Sequence, residues 1–182
     1  GIILLSATIS YAFIENGFEI NIEYSLKEEE LKFLPRIGFT LKLDKSYSEL
    51  EYKGYGPEET YCDTYKFAFK SQYRDTVKNQ YKHYVKPQES GSHYLPDYVK
   101  VSDGNNVLRI EGMQSFSALP YSSDILTDTT HDYALPDSDG TYISADVFMS
   151  GMGSNSCGPL LAKEYRVPDS GIGKITFIFN IQ

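Results

Sequence analysis

The stretch FEINIEYSL, residues 18–26, alternates apolar and polar side chains at every second position. Because successive side chains of a strand point to opposite faces, its apolar residues share one face and its polar residues share the other. The stretch therefore predicts a strand that packs one face against a core. Its apolar positions are Phe18, Ile20, Ile22, Tyr24 and Leu26.

The same pattern recurs along the chain and predicts an all-β protein. Turn residues separate the candidate strands, and Asn16-Gly17 and Gly104-Asn105 predict hairpins because both residue types tolerate positive φ. Many short strands without alternating helices favour an antiparallel sandwich or barrel. The other candidates are ATISYAFI (7–14), IGFTLKL (37–43), SELEYKGY (48–55), YKFAFKSQY (65–73), DYVKVSD (97–103), VLRIEGM (107–113), MQSFSALPY (113–121), YISADVFMS (142–150) and KITFIFNIQ (174–182).

Helical signals are few. In SSDILTDTTH, residues 122–131, Ser122 or Ser123 is expected to cap one short helix, and His131 to hold the end of that helix. The glutamate run in SLKEEELKF, residues 25–33, favours a solvated turn instead of a helix.

Length and charge limit the classes of function. A chain of 182 residues predicts one domain, residues 1–182, with its own core. A net charge of −8 argues against nucleic acid as a partner, because binding to phosphates depends on clustered Lys and Arg. No apolar run reaches the roughly 20 residues that span a bilayer, so no membrane partner is expected. The opening GIILLSATISYAF lacks the basic leading region of an export signal.

Histidines and cysteines are the first candidates for chemistry. His83, His93 and His131 lack the short paired spacing of a zinc site, so we expect no metal and interpret them as partly exposed loop residues. Cys157 lies in GMGSNSCGP, residues 151–159, where the flanking Gly, Asn and Pro favour a shaped loop. A catalytic thiol would need a nearby base and a group to orient it. A small contact residue is the simpler interpretation of Cys157.

Carboxylates and tyrosines provide further candidates. Glu58, Glu59 and Asp63 follow a Gly-Pro turn and are interpreted first as turn residues, with paired carboxylates as the alternative. Glu89, beside Gly91, is interpreted as an acceptor for loop amides, with a general acid or base as the alternative. Nine tyrosines between residues 47 and 94 could stack against sugar rings, although most are expected in the sheets. An acidic, aromatic-rich β domain favours carbohydrate over nucleic acid or lipid.

Six segments occur together in an order that is specific, although each segment is weak alone. They are LPRIG (34–38), YKGYGPEETYCD (52–63), YVKPQESG (84–91), FSALPYS (116–122), Thr130-His131 with the downstream Leu135, and GMGSNSCGP followed by EYRVP (164–168). In these segments the chain resembles the carboxy-terminal domain of the large β-galactosidases of glycoside hydrolase family two, also called the β-galactosidase small chain. The resemblance covers most of the chain from about residue 7.

The resemblance implies an antiparallel super-sandwich related to galactose mutarotase, packed on a catalytic (β/α) barrel elsewhere in the polypeptide. Family members hydrolyse terminal β-galactosides with retention, using two barrel glutamates whose carboxyl groups lie about 5 Å apart. No segment here matches those glutamate motifs, so this chain is expected to hold no catalytic residue and to be inactive alone. It is also expected to bind no cofactor, whereas the complete enzyme is expected to use Mg²⁺ and Na⁺, to form a homo-oligomer and to be cytoplasmic.

The resemblance also implies a role for the GMGSNSCGP loop. Asn155, Ser156 and Cys157 are expected at the rim of the active site, where they would contact the aglycone sugar of a β-galactoside. Cys157 stands where some members have Trp, and at roughly 25 cal/mol per Å² its smaller apolar area predicts an altered preference for that sugar. The family's more amino-terminal segment of this domain has no counterpart before Gly1. We therefore expect the chain to come from a longer enzyme or a split one.

Two other classes of function stay open at this point. A free-standing carbohydrate-binding module would bind sugar without a partner. A mutarotase-like enzyme would need its own acid and base, for which His83, His93, Glu89 and His131 are the candidates.

Overall fold

The computed structural model describes residues 5–27, 33–153 and 158–181. Within them, no helix is long and apolar enough to cross a membrane. Short helices span α1 (Val77–Gln80) and α2 (Ser123–Asp128), and single 3-10 turns span Asp132–Ala134 and Lys163–Tyr165. The strands are β1 (Leu5–Ile14), β2 (Gly17–Leu26), β3 (Arg36–Leu43), β4 (Glu49–Gly56), β5 (Phe69–Thr76), β6 (His93–Tyr94), β7 (Tyr98–Ser102), β8 (Asn106–Glu111), β9 (Ser115–Leu119), β10 (Thr141–Met149) and β11 (Ser170–Ile181).

These strands form two antiparallel sheets. The larger sheet has seven strands in the order β1-β2-β11-β8-β7-β4-β5, and the smaller has four in the order β3-β10-β9-β6. Neighbours within each sheet pair antiparallel. The predicted all-β, antiparallel sandwich is therefore confirmed.

The alternation in β2 has the predicted consequence. Ile20, Ile22 and Tyr24 are buried in the core, whereas Glu23 between them is exposed. Phe18 of β2 stacks on Phe177 of β11, with 4.9 Å between ring centroids. Each fully buried aliphatic or aromatic side chain of this kind stabilises the folded state by about 1.5–3 kcal/mol.

The two sheets meet through aromatic and small residues. Tyr52 of β4 packs against Phe116 of β9, with ring centroids 5.3 Å apart, and both side chains are buried. Gly173 of β11 lies opposite Val147 of β10, where a Cβ on Gly173 would come within 1.9 Å of a Val147 methyl carbon. The sheets can approach this closely only because residue 173 has no side chain.

The predicted turns and helix are also confirmed. Asn16 has φ of 61° in the β1–β2 hairpin, and Gly104 has φ of 90° between β7 and β8. The Ser122 hydroxyl accepts a hydrogen bond from the Ile125 N–H at 3.2 Å and caps α2. The expectation for His131 is wrong, because Thr129 closes the helix by donating its N–H and hydroxyl to the Ile125 carbonyl.

Three differences from the expected elements stand out. Strand β5 begins at Phe69, because residues 65–68 close a turn in which the Ala68 N–H donates to the Tyr65 carbonyl at 2.9 Å. Helix α1 and strand β6 were not expected, since two to four residues are too short for a periodic pattern. Residues 28–32 of the expected glutamate-rich turn lie outside the described residues.

One face of β1 lies on the same side of the sheet as the core but is exposed to solvent. Phe13 pairs with Phe18 and Tyr11 pairs with Ile20, so β1 turns its apolar residues to the same side as the core residues of β2. Phe13 nevertheless remains 92% exposed and Tyr11 64% exposed. The uncovered apolar face of β1 consists of Leu5, Ile9, Tyr11 and Phe13.

Candidate functional site

A cleft of about 700 Å³ opens at the surface between the segment after β4 and the segment before β6. Both segments belong to the motifs YKGYGPEETYCD and YVKPQESG. Met152, at the start of the GMGSNSCGP loop, also lines this cleft. We call it the Glu59 cleft; its principal side chains are Glu58, Glu59, Phe67, Lys82, Tyr84 and Met152.

Glu59 is held in one orientation by donors from three places. Its Oε2 accepts the Gly91 N–H at 2.7 Å and the Tyr61 hydroxyl at 3.5 Å. Its Oε1 accepts the Tyr84 hydroxyl. The hydrogen bond to Glu59 raises the pKa of Tyr84 to about 12, so the phenol keeps its proton and acts as the donor at neutral pH.

The turn before β6 needs glycine at position 91. Gly91 has φ of 67°, and a Cβ there would lie 2.5 Å from the Gln80 carbonyl oxygen. This left-handed conformation costs a non-glycine residue about 1 kcal/mol or more. Gly91 thereby aims its N–H at Glu59, whereas the sequence analysis assigned the loop amides to Glu89.

Lys82 and His83 lie at the mouth of the cleft, and each has a carboxylate partner. Lys82 Nζ is 2.6 Å from Glu58 Oε2. His83 Nδ1 is 2.9 Å from Asp132 Oδ2, and this contact, followed by the Tyr81 hydroxyl, lowers the pKa of Asp132. Glu58 and Glu59 thus have separate partners, while both line the same cleft.

Asp63 anchors the beginning of the GMGSNSCGP loop. Its carboxylate accepts the Met152 N–H at 3.1 Å and the Gly153 N–H at 2.8 Å. Asp63 is therefore a loop anchor, not a member of a carboxylate pair. Nothing in its local sequence points to position 153, so this role was missed.

Cys62, next to Asp63, is a free thiol that supports the same region. Its Sγ lies 3.7 Å from the Met149 carbonyl oxygen and 3.5 Å from the Tyr165 carbonyl oxygen, and its one proton can be donated to either. Burial raises the pKa of Cys62 to about 11, so its protonated, poorly nucleophilic form dominates at neutral pH.

Behind the cleft, Arg36 of β3 joins two carboxylates. Its Nη2 lies 3.2 Å from Glu89 Oε1 and 3.3 Å from Asp146 Oδ2. Asp146 in β10 is 1% exposed, and burial raises its pKa to about 7 despite the opposing effect of Arg36. Burial likewise raises the pKa of Glu89. Neither Arg36 nor Asp146 could be predicted as a pair from the sequence, because 110 positions separate the two residues.

His93 belongs to the core, not to a loop. Its Nε2 contacts Gln80 Oε1 at 2.6 Å and its Nδ1 contacts the Tyr55 carbonyl at 3.2 Å. Its ring also packs against Tyr52 and Phe116. Burial lowers the pKa of His93 to about 4, so the ring is neutral at physiological pH. The expectation of a partly exposed loop histidine is wrong for His93 and holds for the exposed His83 and His131.

The structure brings together only some of the candidate residues. Glu58, Glu59, Glu89 and His83 line the cleft, whereas His93 lies in the core. Asn155, Ser156 and Cys157, the expected substrate contacts, lie outside the described residues. Among the residues that are described, no group of three His, Cys, Asp or Glu side chains could hold a metal ion.

The chain matches a known family over nearly all of its length. Residues 2–181 match the family model described as beta galactosidase small chain. A β-galactosidase of Actinobacillus pleuropneumoniae is 39% identical over 170 residues, which cover 92% of this chain and 16% of that protein. A β-galactosidase of Staphylococcus xylosus is 35% identical over 182 residues, which cover 98% of this chain and 18% of that protein. The chain thus spans less than a fifth of the length of these relatives.

Proposed function

The chain belongs to the β-galactosidase small-chain family, and we propose that it is the carboxy-terminal accessory domain of an enzyme that hydrolyses terminal β-D-galactosides with retention. The main support for this proposal is the family match over residues 2–181. The chain corresponds to only 16% and 18% of the length of the two β-galactosidases, as expected for one domain of a longer enzyme. In it the catalytic glutamates lie on a separate barrel domain, and residues 1–182 form one domain that is inactive alone. The finer super-sandwich architecture, related to galactose mutarotase, is part of the same proposal and is supported by the two antiparallel sheets.

The exposed face of β1 supports a role beside other domains. Alternating apolar residues on an uncovered strand cost free energy in water and are typical of a surface that another element covers. Phe13, on this face, is 92% exposed. We infer that the barrel and other domains of the complete enzyme are the partners of this chain.

We further propose that Asn155, Ser156 and Cys157 lie at the rim of the active site and contact the aglycone sugar. The support is the anchored beginning of the loop, where Asp63 holds the N–H groups of Met152 and Gly153. Positioning groups of this kind matter because small displacements near a substrate lower rates strongly.

Complementation tests the accessory role. The chain alone is expected to leave a nitrophenyl β-galactoside intact, whereas mixing it with a polypeptide carrying the remaining domains of such an enzyme should produce hydrolysis. The matched control is the remaining domains without the chain. Hydrolysis by the chain alone, or no gain on mixing when the two polypeptides form a complex, would contradict the proposal.

A substitution in the loop tests the rim assignment. In the complete enzyme, Cys157→Trp adds apolar area and should lower KM several-fold for substrates with a sugar leaving group. Nitrophenyl galactoside, whose leaving group is not a sugar, serves as the comparison. Unchanged kinetics across several aglycones would contradict the assignment.

The alternatives have different support. A carbohydrate-binding module is favoured by the Glu59 cleft itself, where exposed aromatic residues lie beside carboxylates. A mutarotase-like enzyme has weaker support, because His93 is enclosed in the core and Glu89 pairs with Arg36. Polarimetry of galactose anomers tests that enzyme, and a rate above background would favour it.

Properties of the complete enzyme stay predictions. We expect a homo-oligomer in the cytoplasm, with Mg²⁺ and Na⁺ held by residues outside this chain. Size-exclusion chromatography with light scattering tests the oligomer. Removal of divalent ions by EDTA should lower hydrolysis by the complete enzyme while leaving the unfolding of this chain unchanged.

A further inference from the structure

One side of the Glu59 cleft is apolar and open to solvent. Phe67 is 62% exposed, Met152 43% and Tyr84 37%, and all three line the cleft. Because these side chains are exposed, they contribute little to the core. Exposed aromatic rings in a concave site offer flat surfaces against which a ligand can stack.

The polar groups of the cleft are held in place before any ligand arrives. Three donors orient the Glu59 carboxylate, from Gly91, Tyr61 and Tyr84. Lys82 orients Glu58 through a 2.6 Å contact. A carboxylate has about four acceptor positions, so both glutamates can accept further hydrogen bonds. Groups that are already oriented lose less entropy on binding.

The charges of the cleft select against other classes of ligand. Glu58 and Glu59 outnumber the Lys82 cation, while Glu89 is paired with Arg36, so an anionic ligand would be repelled. An apolar ligand would remove water from the carboxylates without replacing the lost hydrogen bonds, which is unfavourable. Arg36 is engaged by Glu89 and Asp146. A neutral ligand with several hydroxyl groups and an apolar face satisfies both sides of the cleft.

We propose that the Glu59 cleft binds a pyranose ring. An apolar face of the sugar stacks on Phe67, its hydroxyls donate to Glu58 and Glu59, and Lys82 donates to a ring or hydroxyl oxygen. The proposed contacts include none of residues 155–157 and require no second polypeptide. The choice of a galactoside as probe rests on the proposed function, whereas the chemistry of the cleft does not.

Saturation-transfer NMR and titration of the 182-residue chain with methyl β-D-galactopyranoside and with lactose test the proposal. Binding is expected, and Phe67→Ala and Glu59→Gln should each raise Kd at least fivefold. Phe69→Ala is the matched control, because Phe69 is 78% exposed, lies two residues from Phe67 and does not line the cleft. Its Kd should stay within twofold of the wild-type value.

Several outcomes would overturn the assignment. One is the absence of binding to both galactosides and to glucose, and another is an unchanged Kd in Phe67→Ala with a native circular dichroism spectrum. Tighter binding of glucuronate than of glucose would contradict the charge argument. Because these titrations use the chain alone and complementation uses hydrolysis, either proposal can fail while the other stands.

Discussion

Asp63 Oδ2 accepts a hydrogen bond from the Gly153 N–H at 2.8 Å, although 90 positions separate the two residues. The same carboxylate accepts the Met152 N–H, so one side chain sets the direction in which the chain enters the GMGSNSCGP loop. The anchor lies in the motif YKGYGPEETYCD, and its target lies in a second motif. The spatial contact thus joins two segments that the sequence analysis treated separately.

Removing this anchor is expected to loosen the loop entrance. Asp63→Ala takes away two hydrogen bonds to a charged acceptor and should lower the free energy of unfolding by about 1–3 kcal/mol. Amide hydrogen exchange at Met152 and Gly153 should accelerate at least tenfold. Asp44→Ala is a matched control, because Asp44 accepts the Ser46 N–H at 2.9 Å in a different turn. If the amides of Met152 and Gly153 exchange at the same rate in Asp63→Ala as in Asp44→Ala, Asp63 does not anchor the loop.

Asp146 is expected to make the chain less stable as pH rises. Its pKa increases from 3.8 to about 7 on folding, so the folded state binds the proton more strongly. Its contribution to stability is present below pH 3.8 and is lost between pH 3.8 and 7. The difference in unfolding free energy between wild type and Asp146→Asn should fall by roughly 2–4 kcal/mol across this window.

Urea unfolding at several pH values from 4 to 8 measures that difference. The neighbouring charges are Arg36 and Glu89, and the Ser115 hydroxyl lies 3.5 Å from Asp146. Arg36→Lys keeps the positive charge and should preserve the direction of the pH dependence. A difference that stays constant or rises with pH would show that Asp146 is not protonated preferentially in the folded state.

His93 is expected to act in the opposite direction. Burial lowers its pKa from 6.5 to about 4, so the unfolded chain binds the proton more strongly between these values. Stability from this group therefore rises with pH from 4 to 6.5 and then levels off. The difference between wild type and His93→Gln should increase by roughly 2–3 kcal/mol over that range.

Substitutions of Phe13 and Phe177, which lie in one row across the larger sheet, should differ in their effect on the free energy of unfolding. Phe13, Phe18 and Phe177 lie side by side on neighbouring strands, yet Phe177 is fully buried and Phe13 is 92% exposed. In the chain alone, Phe177→Ala should lower the free energy of unfolding by about 3–5 kcal/mol, and Phe13→Ser by less than about 0.5 kcal/mol.

In the assembled enzyme, unlike in the chain alone, Phe13→Ser is expected to have a large effect. If the β1 face is covered by other domains, Phe13→Ser should weaken complementation at least tenfold while leaving the isolated chain folded. Isothermal titration of the chain into the remaining domains measures this affinity. An unchanged affinity would show that this face stays exposed in the enzyme.

Gly173→Ala tests the close approach of the two sheets. The new methyl would lie 1.9 Å from a methyl carbon of Val147, so the Val147 side chain or the backbone must move. We expect a loss of about 1–3 kcal/mol in the free energy of unfolding, as is typical of an overpacked core. Val147→Ala in the same chain should restore part of that loss, and additive losses in the double variant would contradict the steric explanation.

Local signals explain how much of the fold could be predicted. Alternation identified β2, and Asn16-Gly17 and Ser122 identified a hairpin and a helix cap, because each depends on a few neighbouring residues. Two-residue β6 gave no such signal, since His93 is held there by pairing with Phe116 and by burial. At the Glu59 cleft, Glu58, Glu59 and Glu89 lie in two of the quoted motifs, but the motifs do not show the partner of each side chain.

The sequence by itself determined that the chain is all-β and that its motifs are those of the β-galactosidase small chain. Tertiary structure decided that Arg36 lies between Glu89 and Asp146, that Asp63 anchors the loop, and that Glu59 faces a cleft. The physical reason is the separation along the chain of the residues that interact. Side-chain alternation follows from the geometry of two neighbouring residues, whereas these contacts join residues many positions apart and depend on which strands pair and what they bury.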